Sequence, residues 1–248
     1  KIVGQSPVRV EDERFLTGGA EFVGDVVLDG LTHASILRSP HPHARIVGID
    51  PSAALAMPGV IAVCTYADFA DMATEIPLRL APIAGFERFL QQPLANEKVR
   101  YVGEPVAVVL AESHYEAEDA AQFVDVEYDP LPVVSDCQVA AASESPPVDT
   151  RLGNNVVSRT TKSYGECDAA FAGAAHVVRE TLHQHRGVAM SMECRGMVAR
   201  YDPLRRRLTM WASAQAPHSH RSIIVYLLGL TEDQVRVIIP SVGGGFGP

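Results

Sequence analysis

Apolar positions along the chain recur with two spacings, and each change of spacing predicts a change of element. Residues 44–49 and 60–66 are short β-prone runs flanking Pro51-Ser52-Ala53-Ala54-Leu55-Ala56-Met57-Pro58-Gly59. Ser52 is placed to cap one or two helical turns there, and Pro58-Gly59 to end them. Residues 106–111 are apolar without alternation, which predicts a strand buried on both faces. Ser113-His114-Tyr115-Glu116 has the capping-box pattern, and the helical spacing after it predicts a helix over 114–123. β propensity returns over 124–128 before Asp129-Pro130-Leu131-Pro132 breaks it. Residues 1–135 therefore read as an α+β unit.

Residues 136–153, with Ala140-Ala141-Ala142-Ser143-Glu144-Ser145-Pro146-Pro147 and no periodicity, read as a linker. Residues 154–248 form a second mixed unit. It comprises an alternating strand over 177–185, strands over 197–201 and 208–212 around a turn at Asp202, a helix over 217–228 stopped by Gly229, and a strand over 235–239. That last strand runs into Gly243-Gly244-Gly245-Phe246-Gly247. Glycine allows backbone shapes and close approaches that a Cβ forbids, so bare N–H groups there suit an anionic or oxo-rich ligand. A tight turn or a flexible tail is the plainer alternative. A phosphate loop would need Gly-Lys-Ser or Gly-Lys-Thr at its end. A dinucleotide loop would need glycine at position 248, where proline stands, so neither pattern fits.

Composition narrows the choice of partner. The 248 residues are 47% hydrophobic and 21% charged, enough for one large or two medium globular domains. The net charge of −9 is spread without long blocks, and Arg205-Arg206-Arg207 sits in a turn, so nucleic acid is not an expected partner. No run approaches the roughly 18 apolar residues of a membrane span. Cys64, Cys137, Cys167 and Cys194 form no C-x-x-C pair and read as buried free thiols in a reducing, cytoplasmic compartment. Lys1 opens the chain and Pro248 ends it just past the glycines, so a fragment is expected, with further sequence walling the pocket.

Several side chains are candidates for chemistry. His183-Gln184-His185 and His218-Ser219-His220 could together supply four metal ligands, although their spacing matches no familiar site. Solvated or hydrogen-bonded histidines are the alternative. Glu193 is either paired with Arg186 or Arg195 or functionally poised. Arg9, Glu11, Asp12, Glu13 and Arg14 read as a solvated or intersubunit face. Gln215 lies between a strand and a helix, where an amide can donate to a ligand oxygen without bringing charge, or can simply stabilise the loop.

The ordered set of segments resembles the large, molybdopterin-binding subunit of the molybdenum hydroxylases, the family of xanthine dehydrogenase, aldehyde oxidase and aerobic carbon monoxide dehydrogenase. The resemblance is carried by four segments. They are residues 9–20 with Asp25, Arg38-Ser39-Pro40-His41-Pro42-His43-Ala44-Arg45-Ile46, Tyr101-Val102-Gly103-Glu104-Pro105-Val106-Ala107, and Gln215-Ala216-Pro217-His218 followed by Val242-Gly243-Gly244-Gly245-Phe246-Gly247. It implies an α+β chain, with an α/β-hammerhead domain over 1–135 and the first part of a mixed α/β molybdenum-cofactor domain over 154–248.

It also implies an oxidoreductase that places water-derived oxygen on an aldehyde, an N-heteroaromatic ring or carbon monoxide and passes two electrons to molybdenum. By the resemblance, Gln215 donates to an oxo group of molybdenum, and Gly244, Gly245, Phe246 and Gly247 line the pterin and metal ligands. The expected cofactor is molybdenum-molybdopterin in its cytosine dinucleotide form. FAD and [2Fe-2S] clusters are expected on a medium flavin subunit and a small iron–sulfur subunit, in a dimer of heterotrimers. The catalytic base and the substrate-selecting residues are expected in the remaining part of the large subunit. The rival expectations are a non-catalytic docking unit of such a complex and a histidine-ligated metallohydrolase.

Overall fold

The computed structural model describes residues 2–72, 75–77, 89–150, 153–185 and 187–247. In chain order the first unit contains α1 (Asp12–Leu16), β1 (His33–Arg38), β2 (Ala44–Asp50), α2 (Ser52–Leu55), β3 (Val60–Thr65), α3 (Tyr66–Phe69), β4 (Lys98–Val99), β5 (Pro105–Ala111), α4 (His114–Ala121) and β6 (Asp125–Pro130). The uninterrupted apolar run of β5 makes it the centre of the antiparallel sheet β1-β5-β3, with Val106, Ala107, Val109 and Ala111 wholly buried. A second antiparallel sheet has the order β4-β2-β6.

α4 buries its alanine face, Ala117, Ala120 and Ala121. Ala120 and Ala121 share a core with Val109, Ala54 and Val124. Side chains this small let a helix lie close on a sheet, so contact rather than bulk fills the space. Ser113 caps the helix as the sequence predicts: its Oγ accepts from the Glu116 N–H at 3.2 Å and donates to Glu116 Oε2 at 2.8 Å. Ile49 and Val126 pack against both this core and a second one formed by Ala44, Ala95, Val99 and Val106, so the two sheets share apolar contacts. At α2 the cap differs from expectation. Ser52 lies inside the helix, and Asp50 Oδ1 accepts its N–H at 2.9 Å.

The second unit adds α5 (Cys137–Ala140), α6 (Cys167–Gly173), β7 (Met197–Asp202), β8 (Arg207–Ala212), α7 (Pro217–Leu228) and β9 (Val235–Ile238). β7 and β8 form a hairpin around Asp202, whose Oδ1 accepts from the Leu204 and Arg205 N–H groups at 3.0 Å each. The Arg205 side chain, and then its backbone N–H, hold the Asp202 carboxyl below the usual carboxylate range. β9 pairs parallel to β8, and α7 makes the crossover that a parallel connection requires. Pro217 opens α7, and Gly229, left-handed at φ 61°, ends it where predicted. Met210, Ala212 and Ala214 form the core beneath it with Ile224, Val237 and Ile239.

Three expectations are corrected. Residues 177–185 are exposed and irregular rather than a strand. An alternating segment still needs a neighbour for its N–H and C=O groups, and no described strand runs beside it. The stretch over 137–153 is not featureless. Asp136 caps α5, and the Asn155 side chain bonds the Ala140 and Pro146 carbonyls and the Val148 N–H. The cysteines are free, but Cys137, Cys167 and Cys194 are exposed rather than buried. Only Cys64, within β3, is partly covered, and burial followed by the nearby Asp68 charge pushes its thiol up.

Candidate cofactor site

β8 and β9 run in the same direction, side by side, so their carboxyl ends open into one region. Gln215 follows β8, and residues 239–247 follow β9. Crevices outside the carboxyl ends of parallel strands are the usual ligand sites of open α/β sheets, because side chains and loops converge there above a rigid base. A cleft of about 550 Å³ occupies this place, lined among others by Ser191, Gln215, His220, Gly244 and Gly245. A larger cleft of about 630 Å³ lies beside His43, Lys98, Arg100 and Pro147, away from both strand ends. The convergence of loops makes the smaller cleft the candidate site.

Sterics explain the glycines. Gly244 has φ +126°, and a Cβ there would lie 3.0 Å from Ser191 Cβ and 3.1 Å from Phe246 Cε2. A Cβ on Gly245 would collide with the Gln215 carboxamide, whose Cδ would be 2.7 Å away. Carboxamide and main chain therefore touch only because position 245 is glycine. Phe246 also adopts a positive φ of 53° and is 73% exposed. Gly247 is left-handed, with nothing near its missing Cβ. Gln215, Gly244, Gly245 and Phe246 are thus brought together, and Gly247 continues the turn. Uncharged amides and a bare main chain crowded into one cleft fit a large ligand rich in acceptor oxygens.

The loop is held from outside, in part by residues that no local pattern singles out. Ser191 Oγ donates to the Gly244 carbonyl at 2.9 Å. The Ser241 N–H donates to the Glu21 carbonyl at 2.8 Å, and Arg14 Nη2 to Ser241 Oγ at 3.2 Å. Part of the charged amino-terminal segment, expected to form a solvated or intersubunit face, therefore buttresses the loop across 227 residues of sequence. Glu193 is not in an ion pair among the described residues: it accepts from the Gly243 N–H at 2.7 Å and the Val23 N–H at 3.3 Å. Arg186, one of its anticipated partners, lies outside the described residues.

The histidine pairs do not assemble. His183 and His185 are exposed, His220 Nδ1 lies 2.8 Å from the Ala216 carbonyl, and among the described residues no three His, Cys, Asp or Glu side chains are grouped to hold a metal ion. The geometry thus suits an oxygen-rich cofactor held between loops of a βαβ unit, braced by a separate α+β unit.

Comparison with known proteins agrees. Residues 17–132 match the aldehyde oxidase and xanthine dehydrogenase a/b hammerhead domain, and residues 148–248 match the molybdopterin cofactor-binding domain. The large subunit of nicotine 6-hydroxylase from Paenarthrobacter nicotinovorans is 41% identical over 246 residues, covering 99% of this chain and 30% of that protein. The carbon monoxide dehydrogenase large chain of Afipia carboxidovorans is 36% identical over 96% of this chain and 30% of its own length. The crystal structure of quinoline 2-oxidoreductase from Pseudomonas putida 86 superposes with a TM-score of 0.86 at 40% identity, over all of this chain and 31% of that one. The chain belongs to the aldehyde oxidase and xanthine dehydrogenase family, as hammerhead and molybdopterin-binding sequence of the large subunit. It spans about 30% of the length of these relatives. Among the described residues no helix is long and apolar enough to cross a membrane.

Proposed function

We propose that this chain supplies one wall of the molybdenum site in a hydroxylase that oxidises an N-heteroaromatic ring, within a cytoplasmic complex bearing FAD and [2Fe-2S] clusters on separate subunits. The observation that carries the reading is the contact of the Gln215 carboxamide with Gly245 at the mouths of two adjacent parallel strands. The ring substrate is favoured over an aldehyde or carbon monoxide because the nicotine hydroxylase and quinoline oxidoreductase are 41% and 40% identical, against 36% for the carbon monoxide enzyme. The cofactor is molybdenum-molybdopterin in its cytosine dinucleotide form, and the assembly is a dimer of heterotrimers.

When bound, molybdenum supplies an electrophile and a two-electron sink for placing water-derived oxygen on an electron-poor carbon. This chain contributes placement. The Gln215 amide would donate to a cofactor oxygen without bringing charge. Backbone N–H groups over 244–247 would approach the bound cofactor where side chains would bar it, with the Phe246 ring nearby. The base that takes the proton is assigned to the remainder of the large subunit.

Gln215→Ala in the full-length subunit, coexpressed with its partners, is expected to retain molybdenum and pterin but lower kcat about 100–1000-fold, in the range for loss of one directed donor. Metal analysis with steady-state turnover per bound molybdenum checks this. Unchanged turnover at full occupancy would favour a docking role for this part of the subunit.

A further inference from the structure

We infer that Glu193 is a positioning residue whose carboxylate clamps the glycine loop to the amino-terminal unit; this rests on the cleft being the cofactor site. Residues 193 and 243 meet twice. The Glu193 N–H donates to the Gly243 carbonyl at 3.2 Å, and the Gly243 N–H donates back to Glu193 Oε2 at 2.7 Å. A Cβ on Gly243 would collide with Glu193 Cβ, so the pairing requires glycine there. The other carboxylate oxygen, Oε1, accepts from the Val23 N–H at 3.3 Å.

Val23 is itself fixed. It is 6% exposed, and its Cγ1 lies where a Cβ on Gly196 would come within 2.5 Å. It opens a short helical turn braced by Asp25, whose Oδ2 accepts the Phe22 N–H at 2.8 Å. Three segments distant in sequence, around residues 23, 193 and 243, therefore converge on one carboxylate. Its acceptance of the Gly243 N–H fixes the Val242–Gly243 peptide plane while the Glu193 N–H holds the next plane through the Gly243 carbonyl, so the two bonds together set the course on which the loop enters Gly244 and Gly245.

Two donors on two oxygens require a carboxylate. A carboxamide of the same size would turn its NH₂ toward one of the N–H groups, replacing attraction with a donor facing a donor. Glu193→Gln is thus the diagnostic variant, made in the full-length subunit with its partners. Amide hydrogen exchange at Gly243 and Val23 is expected to accelerate about tenfold or more. The Mo(V) electron paramagnetic resonance signal is expected to shift, and kcat to fall about 10–100-fold with KM nearly unchanged, as for losses of supporting contacts around a metal.

Unchanged exchange at both amides, or an unaltered Mo(V) spectrum with normal turnover, overturns the clamp. If Glu193→Gln fails to accumulate, Val23→Pro removes one donor while suiting the start of a helical turn. Faster exchange at Gly243 then supports the clamp, and an unchanged rate overturns it. Absence of molybdenum from the unmodified complex would remove the cofactor reading instead, and the exchange rates would still decide the clamp.

Discussion

Gly245→Ala is expected to leave the full-length subunit folded but depleted of molybdenum and pterin, with turnover at least about 100-fold lower. The added Cβ would collide with the Gln215 carboxamide, which has two ways to yield. If the side chain rotates away, the directed amide is lost. If the loop retreats, the main chain leaves the position at which it meets the cofactor. A displacement near 1 Å in a positioned site can cost about 100-fold in rate, and here neither escape preserves both partners. Gly247→Ala is the control. Its φ of +95° imposes strain, but no neighbour lies near the missing Cβ, so molybdenum content should change far less. Equal effects of the two substitutions, measured as molybdenum per subunit, would show that backbone strain rather than contact with Gln215 governs the loop.

The elements legible in the sequence were those that carry their own evidence. β5 is an unbroken apolar run, α4 follows its own cap at Ser113, and α7 lies between Pro217 and Gly229. β1 was missed, because His33–Arg38 is covered only at alternate positions and its place depends on pairing with β5. The strand expected over 177–185 erred in the opposite sense: its alternation is real, but register and pairing are long-range properties that a local pattern does not contain.

The site divides in the same way. Gln215 and the glycines could each be placed after a strand, which suggested a ligand. That they face one cleft depends on the parallel pairing of β8 with β9 across a helical crossover. In the surrounding scaffold Glu21, Val23 and Ser191 left no trace in composition or spacing, and Arg14 and Glu193 stood out as charges but without their actual partners, since these bonds are mostly to backbone atoms 50 to 227 residues away. A side chain that serves another segment's main chain has no local pattern to reveal it.

The same distinction separates structural from chemical motifs in the amino-terminal unit, and it yields a large expected effect on stability. Glu104 is 3% exposed, and burying a carboxylate is costly unless each oxygen is satisfied. Here Oε2 accepts the Arg100 N–H at 2.5 Å and Oε1 lies 3.1 Å from Arg100 Nη2, while the Glu104 carbonyl takes the Ser39 N–H at 2.9 Å. The Arg38-Ser39 and Gly103-Glu104 segments are thus halves of one structural joint where β1 meets β5.

Glu104→Ala would leave the Arg100 guanidinium, whose side chain is 20% exposed, without its counter-charge. Among the described residues Arg100 Nε already has no partner, so little else is at hand to compensate. Breaking a buried pair from one side costs about 3 kcal/mol or more. Chemical denaturation of the full-length subunit should show that loss, with Glu104→Gln less affected because it keeps one acceptor. A change below about 1 kcal/mol would mean that water reaches the joint and screens it. Because Glu21 and Val23 hold the glycine loop from this same unit, the loss should extend beyond the joint: faster amide exchange at Ser241 and Gly243 is expected in Glu104→Ala at denaturant concentrations where β8 and β9 remain protected.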